Sequence, residues 1–183
     1  LLIVGALFLY IIQALIRSLR LVPARMEFIV ERFGRYHTTL GAGFHFMIPF
    51  IDKVAFTQDL KEHTTDVPPQ TCFTKDEIQV EVDGVIYLQV IDSQKASYGI
   101  TDYQYAAIQL AQTTTRAIIG TLDLDRTFEE REAISGKVVS VLDSAAAKWG
   151  VRILRFEIKN LVPPESVRQS MEKQVTAERN RRA

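Results

Sequence analysis

The residues best suited to chemistry are three histidines, a single cysteine and a run of carboxylates. His37, His45 and His63 have no ligand spacing to one another or to Cys72, whereas a zinc site needs about three or four such ligands. Cys72 reads as a small strand residue, and one cysteine cannot form an internal disulfide. Asp123, Asp125, Glu129, Glu130 and Glu132 could do acid–base work or hold a cation, but carboxylates at a helix start also favour the helix dipole. No serine sits in a nucleophile elbow. Gly41-Ala42-Gly43 leads into an apolar run and not into a helix carrying Lys and Ser/Thr, so it is no phosphate cradle. The expectation is a protein without catalytic residues, metal or cofactor.

What stands out instead is the stretch Met26–Asp52, MEFIVERFGRYHTTLGAGFHFMIPFID. A β-type segment from Phe28 to Phe33 leads through Gly34 into a turn at Leu40–Gly43, where Gly41 and Gly43 can take positive φ. Six of the ten phenylalanines lie between Phe28 and Phe56. Read as one strand, the run would alternate: Phe44, Phe46, Ile48 and Phe50 on one side, His45, Met47, Pro49 and Ile51 on the other. Both sides are greasy. Phe44, Phe46, Met47, Ile48, Pro49, Phe50 and Ile51 are therefore expected to contact a membrane surface.

The segment before it fits that placement. Leu1–Ile16 is apolar except for Gln13, about one turn short of the roughly 20 residues a spanning helix needs. A membrane anchor over residues 1–20 is the expectation; a signal peptide or a buried core helix are the alternatives, and neither a basic leader nor a cleavage site is visible. Arg17, Arg20 and Arg25 follow, which by the positive-inside rule puts the rest of the chain on the cytoplasmic side.

With 183 residues, 47% hydrophobic, the chain can bury a core in one domain or two small ones. Its formal net charge of zero gives no bulk field for nucleic acid. Lys53–Leu60 reads as a strand, and His63–Thr74 with Pro68-Pro69 suits an edge strand or an extended connection. Gln79–Ile91 is the cleanest strand, with Val80, Val82, Gly84, Ile86, Leu88 and Val90 on one face. Helices follow. One opens at Thr101 with Gln104 and carries Tyr105, Ile108, Ala111, Thr115 and Ile118. The next opens on a capping box at Thr127–Glu130, repeats Ile134, Val138, Val141, Leu142, Ala145 and Trp149, and stops at Gly150. Leu154, Phe156 and Ile158 mark another strand. Pro163-Pro164 starts a last, charged helix with a narrow stripe of Val167, Met171 and Val175 and a Glu178–Arg182 pair. That helix is either a solvated end or one that packs on a neighbour. The order of elements implies α+β, with subdomains meeting near Ile91–Tyr98.

Several of these segments resemble a known family. ERFGRY followed by L-x-x-G-x-x-x-x-x-P, then FTKDEIQVEVDGVIYLQVID, KASYGI, IQLAQTTTRAIIG, LDLDRTFEERE, WGVRILRFEIKNLVPP and AERNRRA, are similar to the stomatin/prohibitin/flotillin/HflK-C (SPFH, band 7) domain in its stomatin-like, or paraslipin, branch. The family usually has proline where this chain has Ala42. The resemblance implies an N-terminal membrane segment, two α/β subdomains at about 21–92 and 93–162, and a long C-terminal coiled-coil-type helix from residue 163. It also implies a large homo-oligomer, a ring or cage, associated with lipid microdomains and with a membrane protease or other membrane protein. A bacterial inner membrane and a mitochondrial inner membrane both fit. The expected function is a non-catalytic membrane scaffold; a membrane-associated hydrolase and a monomeric lipid-binding module are the rivals.

Overall fold

The computed structural model describes the backbone of residues 2–182 and the side chains of residues 5, 8–177 and 179–181. In chain order the elements are α1 (Leu2–Ser18), β1 (Leu19–Val22), β2 (Met26–Arg32), β3 (Arg35–Leu40), β4 (Gly43–Phe46), β5 (Asp52–Asp59), β6 (Glu62–Phe73) and β7 (Gln79–Val90). Then come α2 (Ser93–Tyr98), α3 (Tyr103–Ile119), α4 (Leu124–Glu129), α5 (Arg131–Ala146), β8 (Val151–Val162) and α6 (Glu165–Arg182). The strands form three sheets, ordered β1-β4, β3-β2-β5 and β6-β7-β8.

Two compact units share these elements: one is Leu1–Glu62 with Gln89–Tyr103 and Ala147–Arg152, the other His63–Leu88 with Gln104–Ala146 and Ile153–Ala183. They are not the consecutive halves 21–92 and 93–162 expected from sequence. The long strands β7 and β8 each pass from one unit to the other, so the chain crosses more than once.

In the first unit, β2 and β3 form a hairpin that the sequence reading ran together with the glycine turn. Its connection, Phe33-Gly34, has φ of 51° and 74°, the pair of positive values that a two-residue hairpin turn matching strand twist requires. A register shift between Val30 and Glu31 leaves His37 unpaired as a bulge. The strand is irregular on its β5 side too, and Ile29 and Val30, adjacent in sequence, are both buried. The core here is Val22, Val30, Leu40 and Met47, with Met26, Phe28 and Val54 packed against it. Helix α2, unforeseen from sequence, is capped by Asp92, which accepts from Lys95 N–H. It is tied to the sheet by Ser93 Oγ donating to Glu27 and Tyr98 OH donating to Glu31.

In the second unit β7 alternates as its sequence dictates, with Val80, Val82, Ile86 and Leu88 all buried, and the alternation runs on to the buried Val90 in the first unit. Gly84 is glycine for a steric reason: a Cβ there would meet Glu157 O at 2.7 Å and the Phe156 ring at 2.9 Å. β6, which carries Pro68-Pro69, is an edge strand, the position in a sheet where proline is tolerated. The core joins Cys72, Val80, Val82, Ile119, Leu124 and Leu161.

Several local expectations give way to packing. The buried stripe of α3 is Ala107, Ala111, Thr115 and Ile119, and Tyr105 is exposed. That of α5 is Ile134, Val138, Leu142 and Ala146, with Val141 exposed and Trp149 half-buried. Thr127–Glu130 is not a capping box: Thr127 lies inside α4, fully buried, donating back to Asp123 O. Leu154 is exposed, because the burial of β8 shifts phase where Leu154 and Arg155 both face out.

Candidate membrane-contact surface

The antiparallel pairing of β1 with β4 builds a surface that neither strand suggests alone. Its register sets Leu19 opposite Phe46 and Leu21 opposite Phe44, while Arg20 faces His45 and Val22 faces Gly43. Directly opposed residues share a face. One face therefore carries Leu19, Leu21, Phe44 and Phe46, all exposed, Leu21 and Phe46 at 73% each. The phenyl rings of Phe44 and Phe46 meet edge to face at 5.5 Å. The other face is tied inward by Val22, which is buried. His45 Nε2 lies 2.7 Å from Gly41 O, which closes the glycine turn. In that turn Gly43 has φ of 125°, whereas Gly41 is not among the residues of positive φ.

The apolar run does not continue as a strand. β4 ends at Phe46, and residues 47–51 turn back to β5. Met47, expected at the membrane, is 7% exposed and belongs to the core, where its amide donates to Ser18 O and its carbonyl accepts from Ser18 Oγ. Alternation past the exposed Phe46 turns Met47 to the opposite side, the side of His45 and the buried Val22, so Met47 points inward. Pro49 is half-buried. Ile48, Phe50 and Ile51 remain exposed, Phe50 at 81% with φ of 70°.

Asp52 holds this turn closed. It accepts from Arg32 Nε at 2.7 Å and Nη2 at 3.0 Å, and from Ile48 N–H at 2.9 Å. The Arg32 guanidinium, with the Ile48 amide adding to it, draws the carboxyl down to about 2. Arg32 and Asp52 are also register partners, as are Arg32 and Arg35. The tip residue Phe33, 81% exposed, therefore stands at the same end of the sheet as the Ile48–Ile51 turn. Leu19, Leu21 and Phe33 belong to this surface and were missed from sequence. The signal available was the β1 alternation, hidden by the apolar run before it.

Helix α1 enters the surface directly through Ser18. Phe8 to Ile12, Leu15 and Ile16 are all exposed, so the helix is apolar around its circumference. It spans 17 residues, about 25 Å at 1.5 Å per residue. No helix among the described residues is long and apolar enough to cross a membrane. The spanning anchor expected over residues 1–20 is thus seen as a shorter apolar helix, because Leu19–Val22 are taken by pairing with β4.

The expected oligomerisation helix is corrected in part. Val167 and Met171 pack on the core of their own unit, and only Val175, 52% exposed, is left over from the stripe. The side chains of Glu178 and Arg182 lie outside the described residues. Of the carboxylate cluster, Asp123 is the N-cap position of α4 and Glu130 pairs with Arg126. Among the described residues no group of His, Cys, Asp and Glu could hold a metal ion. Burial pushes the Cys72 thiol up, against reactivity.

Several small sheets and helices make this a mixed α/β domain. The SPFH domain / Band 7 family model matches residues 20–183, and the chain belongs to that family. It is 45% identical over 162 residues, 88% of its length, to human "Stomatin-like protein 2, mitochondrial", and covers 46% of that protein. It is 42% identical over its whole length to an uncharacterised protein of Methanocaldococcus jannaschii, covering 89% of it, and 36% identical over 98% of its length to one of Mycobacterium bovis, covering 47%. The chain spans about half the length of the stomatin-like relatives it matches. The family is one of membrane-associated scaffold proteins, oligomeric in general.

Proposed function

We propose that this chain is the membrane-facing part of a non-catalytic, homo-oligomeric scaffold that organises lipid and partner membrane proteins, among them a membrane protease. The bare apolar face of Leu19, Leu21, Phe44 and Phe46 carries this reading. Each large apolar side chain moved from water into hydrocarbon contributes about 1.5–3 kcal/mol, so such a ribbon has a strong drive to enter an interface. The apolar α1 inserts beside it, and the Ile48–Ile51 turn makes a second contact. Arg17, Arg20 and Arg25 leave the domain on the cytoplasmic side of a bacterial inner membrane, with the mitochondrial inner membrane as the alternative setting.

Cys72 is fully buried, so a cysteine placed at Leu21 can be labelled alone. An environment-sensitive dye on Leu21→Cys should shift to the blue and brighten when lipid vesicles are added. A dye that stays in water would refute the reading. Peptidase or ATPase activity that survives stringent washing and is lost on replacing one serine would favour the hydrolase instead.

A monomeric lipid-binding module is the second reading, favoured by the inward packing of Val167 and Met171, which removes most of the stripe from any neighbour. Particle mass in mild detergent separates the two.

A further inference from the structure

The second unit carries a groove of about 590 Å3 between α5 and β8. One wall is Arg131, Ser135 and Val139, spaced four apart on α5 beside its buried stripe, each of them half-buried. The other wall is the unbroken run Leu154–Ile158 of β8. One face of a strand supplies every second residue, so five consecutive residues mean that the groove follows the strand's own edge. β8 is an outer strand of its sheet, with β7 on one side only. Its other edge offers backbone N–H and C=O groups that meet no strand among the described residues.

The two walls run side by side. Ile153 N–H donates to the Asp143 carboxylate of α5 at 3.0 Å, so the helix closes the strand edge at that point. The chain reverses direction between the end of α5 at Ala146 and the start of β8 at Val151. From Asp143 back to Arg131 the helix covers about 18 Å, and from Ile153 on to Ile158 the strand covers about 17 Å. Arg131 therefore comes to the Ile158 end of the groove.

Three features of these walls lack a counterpart. Arg131 Nε is buried without a hydrogen-bond partner, and Arg131 joins no ion pair among the described residues. A buried donor with no acceptor is costly. Leu154 is 40% exposed on the groove. Gly136 lies inside α5, where glycine weakens a helix, yet a Cβ there would meet nothing within 4 Å. No close packing requires that glycine, and its missing side chain widens the groove. Of the other charges lining it, Arg155 and Glu157 pair at 3.0 Å and Glu132 is exposed, so the half-buried Arg131 is the least screened.

We infer that this groove takes an extended segment of a partner protein as an added strand on β8, with a carboxylate of that segment against Arg131. Main-chain bonds to the β8 edge hold the segment, and its apolar side chains cover Leu154 and Val139. A run of about 17 Å suits four or five extended residues. None of these residues belongs to the membrane-contact surface, so the inference goes beyond that reading and either can fail without the other.

The whole chain in mild detergent is used to select from a phage-displayed library of random heptapeptides with free carboxyl termini. Enriched peptides should alternate apolar residues and present an acidic side chain or their terminal carboxylate. Their binding, read by fluorescence anisotropy, should slow hydrogen exchange at the amides of residues 154–158. Gly136→Leu puts a side chain into the groove and should abolish binding. It should leave Tm unchanged or higher, because leucine suits a helix better and meets no neighbour. Arg131→Gln should weaken the acidic peptides about tenfold or more, and leave their asparagine or carboxyl-amidated versions unaffected. Equal binding of acidic peptides to Arg131→Gln would reject the carboxylate contact. Peptides that bind Gly136→Leu as well as the parent, or a selection that enriches nothing, would overturn the site. Loss of self-association in Gly136→Leu with no peptide enriched would assign the groove to a second copy of the chain and reject the inference.

Discussion

Arg32 and Asp52 close the end of β2 and β5 as a two-pronged ion pair, and the same Asp52 carboxylate holds the Ile48 amide. One charged residue thus both ends a sheet and sets the shape of the apolar turn beside it. The Asp52 side chain is only 4% exposed, which shields the pair from solvent competition.

This makes the turn sensitive to acid. The Asp52 carboxyl is lowered to about 2 in the folded chain, so its contribution is present above the ordinary carboxylate value of 3.8 and is lost as pH falls towards 2. Asp52→Asn should lower Tm by a few degrees at neutral pH, and the gap to the parent should narrow below about pH 4 and close as pH falls through 2. A gap that stays constant across that window would show that the carboxylate charge is not what holds the turn.

Adjacent residues in the apolar run should respond oppositely. Met47 is buried and Phe46 is 73% exposed. Met47→Ala should therefore cost about 2–4 kcal/mol in denaturant unfolding, and Phe46→Ala about 0.5 kcal/mol or less. Vesicle binding should follow the reverse order among folded variants, weakening only for Phe46→Ala.

Gly84 admits no side chain, since a Cβ would press on Glu157 O and the Phe156 ring. Gly84→Ala is expected to destabilise by roughly 1–3 kcal/mol, through displacement of β8. Thermal unfolding by circular dichroism checks it, and an unchanged Tm would mean the two strands separate freely.

The last helix separates self-packing from neighbour-packing. Val167→Asp or Met171→Asp should lower Tm, because both side chains sit on their own core. Val175→Asp should leave Tm unchanged and reduce particle mass in mild detergent if α6 packs on a neighbouring subunit. Unchanged mass would reject oligomerisation through Val175.

Where local periodicity decides the structure, the amino-acid order was enough. β7 alternates over its whole length, and the burial of Val80 through Val90 follows from side chains pointing to opposite faces. Gly150, with φ of 67°, ends its helical stretch as a glycine at that position should. Pro163-Pro164 opens α6 for equally local reasons. The family, too, was legible in the segments between Glu31 and the last helix. The candidate surface was legible only in composition: it was clear that residues 44–51 were too apolar for one small core, but not which of them faced out. That depends on Ser18 ending α1, on Leu19–Val22 pairing across some 25 residues with Gly43–Phe46, and on Asp52 reaching back to Arg32. The same holds for Val167 and Met171, whose spacing suits a neighbour's helix as well as their own core. Such long-range pairings set which side chains share a face, and nothing within a residue's own window encodes them.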